Sequence, residues 1–146
     1  MTSKKKTTIV YLVVAVMVSA ALVAYSLWNK KHTDVQSSSA IKITAADLYQ
    51  NFMADSVAAN RHFGGDILDV TGIVSSISRN QQNNMLVLLN TASSGAFINC
   101  TMEQAAVQIQ KGSKVTIKGI CNGIGEGDAE LGIPADVYMV RCYLAK

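Results

Sequence analysis

Residues that carry chemistry are scarce in this 146-residue chain, and the scarcity closes off several functions. There are two histidines, His32 and His62, and three cysteines, Cys100, Cys121 and Cys142. The histidines lie far from the cysteines in sequence, and no spacing pairs a thiol with a base. No run of carboxylates, triad or metal-ligand spacing stands out, so the sequence predicts neither an enzyme nor a cofactor. His62 sits beside Arg61 and reads as a surface residue rather than a ligand. No cysteine follows the apolar run near the N-terminus, which excludes a bacterial lipid-modified N-terminus. No internal repeat is visible.

Basic residues are also scarce where a nucleic acid would need them. The net charge is +3. Yet Lys4, Lys5, Lys6, Lys30, Lys31 and Lys42 all precede residue 44. From residue 44 onward, seven basic residues face nine acidic ones, a balance of −2. The basic character belongs to the N-terminal segment, not to a nucleic-acid-binding face.

What is present begins with a long apolar run over residues 9–28, with Tyr11, Tyr25 and Trp28 near its ends and lysines on both flanks. About 20 helical residues span a bilayer core. The run predicts a transmembrane helix acting as a signal anchor, with aromatic rings at the interfaces. More fixed charge precedes it than follows it. The expected topology keeps residues 1–8 in the cytoplasm and the C-terminal domain outside, in the periplasm. A cleaved signal peptide is the rival, because Val18-Ser19-Ala20 resembles a cleavage site; the apolar run continues past it and favours the anchor. Residues 29–43 read as a flexible tether.

Residues 44–146 read as one mainly β domain. Thr44 and Asp47 resemble a capping box opening a helix that ends near Gly64-Gly65. The stretch Asp66 to Ile77 alternates as a long strand, and Gly72 marks an expected bulge where it bends between two sheets. Residues 85–89 and 96–100 form the next two strands. Thr101-Met102-Glu103-Gln104 then predicts another capped helix, ending at Gly112. Residues 113–121 and 137–144 supply two more strands, with Tyr138, Val140, Cys142 and Leu144 placed on the inner face. Three strands, a helix and two strands match a five-stranded Greek-key barrel of the OB type.

The N-terminal helix leads into Val70-Thr71-Gly72-Ile73-Val74. Later comes Lys111-Gly112-Ser113-Lys114-Val115-Thr116-Ile117-Lys118-Gly119-Ile120-Cys121, and a cysteine stands in the last strand. Together these resemble the tRNA_anti-like family of bacterial OB-fold proteins, many of them exported or anchored. The resemblance covers residues 44–144 and implies the barrel. It brings no catalytic residue set with it.

Two constellations remain. The loop Gly123 to Gly132 carries Glu126, Asp128 and Glu130, oxygen ligands of the kind hard cations take, at a position where OB folds bind ligands. It lacks the distal glutamate of an EF-hand, and a solvated loop is the plainer reading. In an OB barrel the third and fifth strands are parallel neighbours, so a disulfide outside the cytoplasm would join Cys100 to Cys142 and leave Cys121 free. Three reduced core thiols are the alternative. The resulting expectation is a non-catalytic, membrane-anchored OB-fold binding module of the cell envelope. Its partner is an envelope protein, glycan or small ligand. A structural subunit of an envelope complex is the alternative, and a single-stranded nucleic-acid binder the second alternative.

Overall fold

Strand β2 (Ile67–Arg79) serves both halves of a closed sheet. Its first half pairs antiparallel with β5 (Lys114–Ile124), from Ile67↔Ile120 to Ile73↔Lys114. Its second half pairs with β3 (Met85–Asn90), from Val74↔Leu89 to Arg79↔Met85. β3 continues to β4 (Phe97–Met102), antiparallel, and β4 to β6 (Val137–Leu144), parallel. β6 returns antiparallel to β5 and closes the ring. This is the five-stranded OB barrel, including the expected parallel contact between its third and fifth strands. The computed structural model describes residues 2–28, 34–104, 108–128 and 130–145.

The alternation legible in β2 is real: Leu68, Val70 and Val74 are fully buried. The register slip is not at Gly72. It falls between Val74 and Ser76. Gly72 is required by close approach instead. A Cβ there would lie 3.0 Å from the Ala45 Cβ and 3.1 Å from the Leu89 Cβ.

Thr44 does cap a helix, α2 (Ala45–Ala54): its Oγ1 accepts from the Asp47 N–H at 3.1 Å and donates to the Asp47 carboxylate at 2.7 Å. The segment expected as one helix is two. Asp55 caps α3 (Ser56–Phe63) by accepting from the N–H groups of Val57 and Ala58. A carboxylate that captures two N–H groups starts a new helix rather than continuing the old one. α2 packs against β2, β3 and β4 and buries Leu48, Tyr49 and Phe52. Phe63 of α3 meets Phe52 with ring centroids 6.4 Å apart.

The helix expected between β4 and β5 is not found among the described residues; residues 105–107 of that stretch lie outside them. Thr101 and Met102 continue β4, with Met102 buried and paired to Cys142. A buried ladder position outweighs a local capping signal. The N-terminal helices α2 and α3 supply the helical cover instead.

Residues 34–43, expected as the end of the tether, belong to the compact unit that starts at Asp34. The Asp34 carbonyl accepts from the Ser38 N–H at 3.1 Å, and Val35 is buried. Strand β1 (Ile41–Thr44) then pairs parallel to β2, from Ile41↔Leu68 to Thr44↔Thr71.

Residues 1–33 form a separate unit. Its α1 (Thr2–Trp28) is a single helix of 27 residues. The side chains described in it are Tyr11 and those of residues 13–25. Valines, Met17 and Leu22 lie on all sides and are more than half exposed. Among the described residues no helix is long and apolar enough to cross a membrane. The transmembrane span expected over residues 9–28 is thus met by a helix but not found as a span.

Candidate ligand-binding face

The register of the barrel assembles one continuous outer face from β3, β4 and β6, edged by two serines of β2. Directly paired residues share a side of the sheet. One row reads Ser78, Leu86, Thr101, and the next reads Ser76, Leu88, Asn99, Tyr138. Asn90 and Phe97 complete a third. Behind them Val87, Leu89, Ile98 and Cys100 are buried. The face is therefore apolar and uncharged-polar, with Tyr138 its most exposed ring at 41%.

Sequence reasoning placed Tyr138 inside, and the structure turns it outward. Between Lys118↔Tyr143 and Ile120↔Val140, β6 contributes Arg141 and Cys142 against Gly119 alone. Arg141 takes the left-handed φ of 52° that this extra residue demands. One inserted residue reverses the inner and outer faces, so Val137, Met139 and Cys142 are the buried set. Gly125 makes room for the Tyr138 ring: a Cβ there would lie 2.6 Å from its Cε2.

The rim is held by local hydrogen bonds. The Asp136 carboxylate accepts from the Phe97 N–H at 2.9 Å, and its carbonyl accepts from the Gly125 N–H at 2.9 Å. Both arginines near the face are engaged inside the domain. Arg79 donates to the Asn83 carbonyl at 3.1 Å, and Arg141 Nε lies 3.5 Å from Glu103 Oε2.

The acidic loop does not converge. Asp128 Oδ1 accepts from the N–H groups of Glu130 and Leu131, both at 3.0 Å, and its backbone pairs with Ile133. Its carboxylate builds the turn, while Glu126 and Glu130 are exposed. Among the described residues no cluster of His, Cys, Asp or Glu could hold a metal ion. His62 lies with its ring 4.5 Å from that of Phe63.

The three cysteines are buried free thiols. Cys100 and Cys142, the pair expected to form any disulfide, lie within hydrogen-bond reach of each other as free thiols. A hydrogen bond with Cys100, followed by burial, pushes the Cys142 thiol well above its ordinary pKa. Burial likewise pushes Cys121 up. Thiols raised in this way, Cys121 and Cys142, are poor nucleophiles.

A closed barrel of this strand order defines an OB-fold protein. The chain belongs to the tRNA_anti-like family, whose model matches residues 1–131. Among solved structures it is similar to a Klebsiella pneumoniae subsp. pneumoniae protein described as a "putative nucleic acid-binding lipoprotein". The two share 16% identity at a TM-score of 0.52, over 72% of this chain and 92% of the other. At that identity the likeness shows the fold. No curated protein matches the chain.

Proposed function

We propose that this protein is a non-catalytic OB-fold binding module, held at a membrane by α1 and displayed on the outer side of the cytoplasmic membrane. The observation that carries the binding role is the chemistry of the β3–β4–β6 face. Leu86, Leu88, Phe97 and Tyr138 alternate with Asn99, Thr101 and two serines, and no unpaired cation stands among them. Such a surface suits an envelope protein, glycan or small ligand, recognised by apolar contact and neutral hydrogen bonds. The anchor reading rests on an apolar helix with no single polar stripe, which needs an apolar medium or partner on every side. A structural subunit of an envelope complex would use the same face permanently.

A photo-crosslinking residue at Leu88 or Tyr138 tests this. Adducts should form there and not at Val57, which is exposed on α3. Equal labelling at all three sites would refute the assignment. A reporter fused after Lys146 tests the topology; activity on the cytoplasmic side would overturn it.

Nucleic acid is the second reading. The exposed Tyr138 ring and the description of the Klebsiella pneumoniae neighbour favour it, and single strands bind through stacking plus a cationic groove. It expects salt-dependent association of the full chain with single-stranded oligonucleotides, lost in Tyr138→Ala.

A further inference from the structure

Away from that face, β2 carries a carboxylate one of whose oxygens has no partner among the described residues. Asp69 stands in register with Lys42 of β1 on one side and Lys118 of β5 on the other. Cross-strand neighbours of opposite charge ordinarily pair. Here they do not. Lys118 Nζ donates to the Ser38 carbonyl at 2.9 Å and the Gln36 carbonyl at 3.4 Å, holding the turn that begins the domain. The ion pair found among the described residues is Arg141 with Glu103. Asp69 Oδ1 is buried and has no hydrogen-bond partner among the described residues. An unmet buried acceptor costs stability, and a fold without use for it is better off with an apolar residue.

Asp69 lines a pocket of about 440 Å³ together with Gln36, Lys118, Tyr143, Leu144 and Ala145. That volume lies within the range of small-molecule sites. The pocket shares no residue with the β3–β4–β6 face. We propose that it binds a neutral, hydroxyl-rich ligand of one or two sugar rings, with Asp69 accepting from a ligand hydroxyl. The surroundings select against the alternatives. A cationic ligand would meet lysines in register on both sides of Asp69. An anionic one would meet Asp69 itself. A hydroxyl donates to the carboxylate and accepts from the remaining Lys118 N–H, since an ammonium has three donors. Tyr143, Leu144 and Ala145 offer ring, phenol and apolar surface to the rest of a sugar.

The experiment uses the full chain in a phosphocholine detergent, which carries no sugar headgroup. Diacetylchitobiose and maltose are titrated by calorimetry, with putrescine and citrate as cationic and anionic probes. At least one disaccharide is expected to bind saturably, and neither charged probe. Asp69→Ala should weaken that binding about tenfold or more, as loss of a hydrogen bond to a charged group does. Without ligand the same variant should melt at or above the wild-type temperature, because an unmet acceptor has gone. Asp69→Asn, which keeps the size, separates loss of charge from loss of shape and should also bind more weakly. The proposal is overturned if no disaccharide binds, if putrescine or citrate binds more tightly, or if both variants bind like wild type. It is equally overturned if both variants melt lower, since the carboxylate would then hold the fold rather than a ligand.

Discussion

The helix α1 and the barrel use the same residues in opposite ways. Both are rich in valine, leucine and methionine. In the barrel Leu68, Val70, Val87, Leu89, Ile98 and Met139 are sealed from solvent. In α1 Val13, Val14, Val16, Met17, Val18 and Leu22 are all more than half exposed. The barrel completes its own interior, whereas α1 has no interior to complete. Apolar surface of that extent is stable in water only when something else covers it. The lesson is that hydrophobic content alone does not separate a self-contained core from an apolar helix that something else must cover. Periodicity does: two in the strands, none in the helix.

The comparison breaks most sharply at α1. Val16→Lys with Leu22→Lys should cost about 5–7 kcal/mol of membrane insertion, at about 2.5–3.5 kcal/mol per central lysine. The double variant should leave the membrane fraction in flotation assays while its barrel stays folded by circular dichroism. Retention in the membrane would show that α1 is no anchor. Phe52→Ala should do the reverse. Membrane partition should be unchanged, and the domain should lose about 3–5 kcal/mol in urea denaturation, as buried aromatic truncations do. Gly119→Ala sharpens the account of the barrel. A Cβ there would fall 2.5 Å from Cys142 Sγ and 3.2 Å from the Val140 carbonyl, and overpacking of this kind costs about 1–3 kcal/mol. An unchanged urea midpoint would mean that the bulge on β6 gives way freely.

The smallest effect is in pH. The Cys142 thiol is raised above the ordinary value of 9.0. Its contribution is therefore full below that pH, and is lost as rising pH ionises the unfolded chain more readily than the folded one. Barrel stability should fall as pH climbs past 9, and Cys142→Ala should flatten that fall. A slope equal in both chains would place the alkaline instability elsewhere.

Much of the barrel was legible because strand alternation and turn residues act locally. The Thr44 cap and the spans of β3 and β6 follow from neighbours a few residues apart. What was not legible depends on distant partners. The inner and outer faces of β6 could not be told apart, because Val137 and Met139 are as apolar as Val140 and Cys142. Only the extra residue opposite Gly119 decides between them. The Thr101 capping signal was sound locally but lost to the buried pairing of Met102 with Cys142. β1 is four residues long and exists because β2 had an open side. Asp69 went unremarked for the same reason. Its neighbours Lys42 and Lys118 are brought beside it only by the register. The single hint was an acid within a β-branched run.

The parallel contact between β4 and β6 also sets a timetable. β6 is the last strand made, and it alone bridges β4 to β5. Until residues 137–144 are available, every earlier strand can have formed while two edges stay bare, each a template for pairing with another chain. Chains are synthesised from the N-terminus at about 5–20 residues per second. The barrel therefore stays unfinished until its sixth strand has emerged. Anything that stalls the chain short of Val137 leaves an open sheet, not a smaller barrel.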